Sequence, residues 1–290
     1  MVDLHCHSNF SDGTDSIEQI VEKWSKLGLK YVSITDHDTV AGVKYLLSNK
    51  DLLDKLSEKN ITFIKGIEFS CFDEGDKLHI LAYDYDENNE DFQAAINEGK
   101  TKRVKKFILR AEKLKEKHGI KFDEKAYNDM LHFDYIGKPI MARQLLEDGV
   151  FDDMYDAFKI LNSLNVSDGD TRIDAKFAMN AIKSAGGLAV WAHPLGGLGE
   201  PVITYNDVER IIEKLKPMGL KGLECYYCLY TDDEIEKLKK IADKYGLFIS
   251  AGSDYHGKNK KTGMKELSKD TILDLTPEQV TLIKGLNKNI

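Results

Sequence analysis

The apolar positions change their period along the chain, and these changes outline the elements. Ile17, Ile20, Val21, Trp24 and Leu27 recur at helical spacing over 16–27, and Gly28 supplies a stop. Residues 1–7 read as a strand, as do the short β-rich or apolar runs at 31–35, 61–67 and 77–83. Residues 40–56 read as a second helix. From about 90 to 182 the strand signal nearly vanishes. A long basic helix is expected over 99–119, with shorter ones over 126–131, 138–147 and 153–161. Strand signals then return at 187–192, 221–226 and 247–252, separated by helical patterns over 207–216 and 232–245. Strands alternating with helices imply a mainly parallel α/β sheet or barrel. We therefore expect one α/β body from 1–90 and 183–290, interrupted by a helical insertion at 91–182.

A chain of 290 residues has room for such a body and its insertion. No apolar stretch approaches the ~20 residues that span a bilayer, so no membrane segment is expected. No basic n-region and apolar h-region open the chain, so no secretory signal is expected. Four cysteines then fit reduced thiols in a cytoplasm. A net charge of −8 speaks against nucleic-acid binding by the whole surface. Residues 100–117 nevertheless hold nine Lys/Arg against two Glu. They read either as a solvated helix face or as a basic cap steering a phosphorylated substrate through Arg103 and Lys106. No surface in the sequence announces a stable protein partner.

The candidate chemistry lies where strand signals end. Asp-Leu-His-Cys-His at 3–7 places His5 and His7 on alternate positions of one strand, so both imidazoles face the same side, and Asp12 follows. His37, Glu68, His193, Asp254 and His256 stand at or just past the ends of further strand candidates, and His79 stands inside one. In a β/α barrel such positions gather on one rim. Nine imidazole and carboxylate donors exceed the needs of one tetrahedral ion and suit two or three ions sharing a bridging carboxylate. The donor types favour Zn²⁺, Mn²⁺ or Fe²⁺ over Mg²⁺ or Ca²⁺. Three ligand carboxylates would leave such a site positive and in want of an anion. A water on it would be acidified from ~16 towards ~7, ready to attack a phosphoryl group. Asp36 and Asp38 flank His37 and are expected to orient imidazoles. Cys225 and Cys228 have no second pair and are read as packing residues, and Cys6 as a buried small hydrophobe.

The segments DLHCHSNFSDG, ITDHDTVAG, GIEFS, AHP and SDYHG, in this order, resemble the motifs of the PHP (polymerase and histidinol phosphatase) superfamily. The insertion between HILAY and AHP resembles its stand-alone phosphoesterases, which act on nucleotides and short RNA, including nucleoside 3′,5′-bisphosphates. The resemblance implies a distorted (β/α)7 barrel with a helical cap and a trinuclear centre. It implies that His5, His7, Glu68 and Asp254 hold one ion and that Asp12, His37 and His256 hold a second. His79 and His193 would hold a third, with Glu68 bridging. The segment YIGKPIMARQLLEDG resembles the family's cap stretch, in which basic residues and a histidine face the substrate phosphate. Lys138 and Arg143 fill the basic positions here, with Arg103 from the basic helix as a further contact, while Ile140 stands where a histidine is expected.

The expected function is a phosphoesterase for a small phosphorylated substrate, a nucleotide or a short oligonucleotide. A histidinol-phosphate-type or other small-molecule phosphatase is an alternative. An amidohydrolase-like enzyme acting at carbon is another, although such sites commonly carry a bridging lysine and Glu68 stands in that role here. A non-catalytic binding module ranks last, because no ligand is missing.

Overall fold

Val2 and Asp3 form β1 (Val2–Asp3), from which the chain runs extended past His7 before entering α1 (Ile17–Leu27). Ile17, Ile20, Val21 and Trp24 make the buried stripe of this helix. The Ser16 hydroxyl accepts from the Gln19 amide while the Gln19 side chain accepts from the Ser16 amide, and Gly28 closes the helix with φ 70°. Then follow β2 (Tyr31–Ile34), α2 (Ala41–Ser48), α3 (Lys50–Glu58), β3 (Thr62–Asp73) and β4 (Asp76–Tyr83). The single helix expected over 40–56 is two, because the Asn49 side chain caps the Leu52 amide and starts α3 afresh. This computed structural model describes residues 1–167, 169, 171–197, 200–259 and 275–286.

The next helices are α4 (Glu90–His118), α5 (Glu124–Met130), α6 (Lys138–Glu147) and α7 (Met154–Ser163). The chain finishes with β5 (Ile173–Asp174), α8 (Ala175–Ser184), β6 (Leu188–Trp191), α9 (Tyr205–Met218), β7 (Leu220–Tyr227), α10 (Asp232–Tyr245), β8 (Phe248–Gly252) and α11 (Leu282–Leu286).

Seven strands follow one another in the order β1-β2-β3-β4-β6-β7-β8, and the short β5 pairs with β3. The two ends of this order meet, since the Leu4 amide donates to the Ala251 carbonyl (3.0 Å) and the Asp254 amide to the His5 carbonyl (2.8 Å). The result is a nearly closed, distorted seven-stranded barrel with helices outside. The distortion has a local cause. β4 runs antiparallel to both β3 and β6, because β3 and β4 are joined by Glu74 and Gly75 with φ of 43° and 103°. Two successive left-handed residues make a tight hairpin whose twist matches the strands. The expected strand end at 67 is therefore corrected: β3 continues to Asp73, and Glu68 stands mid-strand.

Residues 91–182 do not behave as one block. Phe92 and Ala95 of α4 pack in the barrel core beside Tyr85. Further along, Phe107 and Leu114 join Met130, Met141, Leu145 and Leu161 in a separate apolar cluster with α5, α6 and α7. β5 returns to the barrel through Cys71 and Ile173, in parallel register with β3. α8 buries Ala175, Ala178, Met179 and Ile182 in the barrel core. A two-residue strand has no period to read, so β5 left no signal in the sequence. No helix among the described residues is long and apolar enough to cross a membrane.

Candidate metal centre

Each side chain of the centre is delivered by a strand or by the turn that follows it. Asp38, His193 and Asp254 have positive φ (52°, 31° and 51°), a conformation that costs a non-glycine residue about 1–3 kcal/mol and clusters at functional sites. All three lie in the turns just beyond β2, β6 and β8, where the chain bends sharply at the barrel mouth. Gly252 is needed for a different reason. A Cβ there would run into the Cβ of His5 and lie 2.8 Å from Glu224 Oε1, so β8 approaches β1 this closely only without a side chain.

Glu68 is the hub. It is 1% exposed, and five imidazoles surround it. Its Oε2 lies 3.0 Å from His37 Nδ1, 3.1 Å from His7 Nε2 and 3.4 Å from His5 Nε2. Its Oε1 lies 3.0 Å from His79 Nδ1 and 3.3 Å from His193 Nε2. On one side Asp254 Oδ1 stands 3.4 Å from His5 Nε2 and 3.3 Å from His7 Nε2. On another, Asp12 Oδ1 is 3.2 Å from His256 Nε2, and Asp12 Oδ2 is 3.8 Å from His37 Nε2.

The donor atoms fall into sets that each lie within 4.8 Å of one another: His5, His7, Glu68 and Asp254; His7, Asp12, His37 and His256; His37, Glu68 and His79; His79, His193 and Glu200. All nine residues singled out in the sequence are thus brought together, and His7, His37, Glu68 and His79 each stand in two sets. The donors fit cations better than they fit each other. His7 Nδ1, His37 Nδ1 and Glu68 Oε2 are buried and make no hydrogen bond, although His37 Nδ1 and Glu68 Oε2 are only 3.0 Å apart. Buried polar atoms that converge without pairing are expensive unless something positive joins them. The sets contain only imidazole and carboxylate donors, which fits divalent metal ions.

The electrostatics agree. Burial would raise the Glu68 carboxyl, but the surrounding imidazoles outweigh it and hold it well below the usual range. Burial pulls the other way on His7, whose pKa is nevertheless pushed up to about 9 by Asp254, Glu68 and Asp12. His193 is pushed up to about 10 against its own burial, chiefly by Glu200 and Glu68. These shifts favour positive charge at His7 and His193, while burial holds the His79 imidazole below its ordinary value.

Sequence reasoning misplaced the groups that orient the imidazoles. Asp36 accepts instead from the Ser8 amide (2.7 Å), the Ser8 hydroxyl (2.6 Å) and the Ser11 hydroxyl (2.6 Å), and so ties down the loop after His7. Asp38 accepts from the Ser70 amide (2.8 Å) and from Arg103 Nε (2.6 Å). The imidazoles are held by Glu224, whose Oε1 is 3.0 Å from His5 Nδ1 and whose Oε2 accepts from the His193 amide (2.7 Å). The Glu200 carboxylate lies 3.1 Å from His193 Nδ1, and the Asp254 carbonyl 2.8 Å from His256 Nδ1. Tyr227 donates to Asp254 Oδ2 (2.9 Å). Glu224 had a signal: it is the one acid inside the otherwise apolar run GLECYY. Glu200 lies in a loop without one.

A cavity of about 760 Å³ opens onto Asp12, His37, His79 and His193. Gly99, Lys102, Arg103, Lys106 and Arg110 of α4 line it, along one face of the helix. Arg103 also donates to the Ser70 hydroxyl (2.7 Å), and its guanidinium stacks 4.1 Å from the Tyr135 ring centre. Tyr135 in turn donates to Asp12 Oδ2 (3.3 Å) and stacks on His37, so it links the helical region to the centre. Lys138 lines the cavity and donates to Asn162 (2.6 Å). Arg143 does not reach it: it lies on the outer, exposed face of α6. Ile140, where a histidine was expected, packs against the apolar cluster of the helical region.

Residues 3–161 match the PHP domain model. Over 88% of this chain and 89% of the relative, the sequence is 30% identical to a 5′-3′ exoribonuclease of Haemophilus influenzae. It is 29% identical, over 88% of the chain and 94% of the relative, to a phosphoribosyl 1,2-cyclic phosphate 1,2-diphosphodiesterase of Eggerthella lenta. A 3′,5′-nucleoside bisphosphate phosphatase of Chromobacterium violaceum is 26% identical over 88% of this chain and 87% of its own. Among solved structures, a Bifidobacterium adolescentis protein provisionally named a metal-dependent phosphoesterase superposes with a TM-score of 0.73 at 28% identity, over 93% of each chain.

Proposed function

The chain belongs to the PHP domain family, and from that premise we infer that it is a metal-dependent phosphoesterase acting on nucleotides or the 5′ ends of short RNA. The observation that carries this reading is Glu68 within 3.4 Å of five imidazole nitrogens, beneath a cavity walled by cations.

His5, His7, Glu68 and Asp254 would hold one divalent ion, and Asp12, His37 and His256 a second. His79 and His193 would hold a third, joined by Glu200 and bridged by Glu68. Two or three ions of Zn²⁺, Mn²⁺ or Fe²⁺ suit these donors. When bound, such ions polarise phosphoryl oxygens and bring the pKa of a water into the neutral range. The chain's own residues do the rest. Glu224 fixes the His5 ring and the His193 backbone, so the donors are aimed before any ion arrives. Arg103 is held by Asp38, Ser70 and Tyr135 at the cavity wall, where a rigid fork of donors can take the non-bridging oxygens of a phosphate. Lys138 adds a second positive charge to that wall.

The helices packed around Phe107 and Leu114 serve as a cap over the cavity. The names of the three relatives share phosphate esters of ribose or ribonucleotides, and we take nucleoside 3′,5′-bisphosphates and short 5′-phosphorylated RNA as the preferred substrates. The four free thiols fit a reducing, cytoplasmic setting.

The test is phosphate or nucleotide release from a panel of phosphomonoesters, nucleoside bisphosphates and 5′-phosphorylated oligoribonucleotides, with each divalent ion in turn. Activity should vanish with chelator and return with one of these ions. A folded, metal-loaded protein inert on the whole panel would overturn the reading.

A further inference from the structure

A second pocket, of about 370 Å³, adjoins the cation-lined cavity and shares Lys102 and Arg172 with it. Its walls are of a different kind. Phe72 and Phe177 present two aromatic rings, and Gly169 lies against the Phe72 edge, where a Cβ would stand 3.2 Å from Cε1. Phe177 sits in the first turn of α8 and is 40% exposed, so its ring is open to solvent. Glu98 and Asp174 also line the pocket. Glu98 lies 3.4 Å from Lys102, and Asp174 caps the Phe177 amide at 2.8 Å. Two cations and two acids leave the pocket near neutrality, with ring faces and carboxylate acceptors. The cavity next to it carries seven Lys/Arg against four Asp/Glu, a net excess of cations.

This pairing matches a nucleotide chain. Phosphates want the cationic cavity, and a base wants a ring to stack on and acceptors for its amino group. The spacing agrees. Phe72 lies four residues beyond Glu68 on β3, so the two share a face of the strand about 13 Å apart at ~3.3 Å per residue. At roughly 3.4 Å per stacked nucleotide, a single strand covers that within its first few residues.

We propose that the Phe72–Phe177 pocket is a base-stacking subsite for a nucleotide downstream of the reacting phosphate. Of the two substrate classes proposed above, single-stranded RNA of several residues is then favoured over the nucleoside bisphosphates. This deepens the phosphoesterase reading and rests on it only for the direction of the strand.

Two measurements separate the claims. Binding of 3′-labelled, 5′-phosphorylated oligoadenylates, from one to six residues, is followed by fluorescence anisotropy without added metal. Turnover of the same series and of p-nitrophenyl phosphate is followed with metal. Affinity should rise with length and level off near four residues. Phe177→Ala, a surface change, and Phe72→Leu, which keeps the strand apolar, should each weaken binding and raise KM for the longer oligomers about tenfold. Both should leave kcat, the mononucleotide and p-nitrophenyl phosphate unchanged. An affinity independent of length, or equal losses on mononucleotide and oligomer, would overturn the subsite while leaving the phosphoesterase intact. Length-dependent binding that Phe177→Ala abolishes would support the subsite even if every ester on the panel proved inert.

Discussion

Glu224→Gln is the most informative single change at the centre. Glu224 is fully buried and makes two contacts at once, 3.0 Å to His5 Nδ1 and 2.7 Å to the His193 amide. Its two oxygens thus hold one ring from the segment after β1 and one backbone turn after β6. The amide of glutamine has nearly the same shape but one acceptor, so one of the two contacts loses its partner. A hydrogen bond to a charged group contributes about 1.5–3 kcal/mol. At about 1.4 kcal/mol per factor of ten, that is roughly a 10- to 150-fold loss in metal affinity. Loss of a group that orients a metal-binding histidine costs about 10–100-fold on general grounds, in the same range. Affinity for Zn²⁺ or Mn²⁺ is read by competition with a chromophoric chelator, with near-ultraviolet circular dichroism as the folding control. The number of sites should stay the same while the tightest dissociation constant rises. A folded variant that binds metal within twofold of the parent would refute the argument that Glu224 aims these donors.

Other expectations follow from the same geometry. Arg103→Met removes the guanidinium that bridges Asp38 and Ser70 at the cavity wall. It should raise KM for phosphorylated substrates at least about tenfold, a charge-assisted contact being worth ~1.5–3 kcal/mol. Arg143→Ala should change neither KM nor kcat beyond twofold, since that side chain is exposed and away from the cavity; steady-state kinetics on one substrate test both arginines. Metal loading should release protons near pH 7, because His7 and His193 titrate at about 9 and about 10 in the metal-free protein. Calorimetric titrations in buffers of different ionisation enthalpy count them. Both folded pKa values lie above the ordinary histidine value, so the stability these two rings contribute is complete below about pH 6.5 and is lost as pH rises through 9–10. Thermal melts of metal-free protein should therefore fall across that window, and metal-loaded protein should not follow them.

The residues show what a sequence carries and what it withholds. The convergence of the nine side chains was legible because a barrel gathers strand ends on one rim, although Glu68 and His79 stand inside β3 and β4. The helix stop at Gly28 was a local signal and stands where the pattern put it. For contacts made across strands the sequence can mark a residue, as it does Glu224, but not its partner. Glu224 reaches His5 over a sequence separation of 219 residues, and only burial in β7 reveals the acid's partner. Asp36 and Asp38 show the converse error: adjacency to His37 suggested contact, but the backbone turn at Asp38 sends both carboxylates to serine and arginine partners. The β3–β4 hairpin was missed because its turn, Glu74-Gly75, lacks the Asn-Gly or Asp-Gly signature that marks such turns. β5 is two residues long, below the reach of any period.

The account depends on several ions sharing one carboxylate. Diffraction from metal-loaded crystals, collected on both sides of the zinc or manganese absorption edge, tests this directly. It should show at least two anomalous peaks at the barrel mouth, with the Glu68 carboxylate between them and His5, His7, Asp12, His37, His193, Asp254 and His256 around them. A single peak with Glu68 uncoordinated, or no peak among these residues at saturating metal, would contradict it.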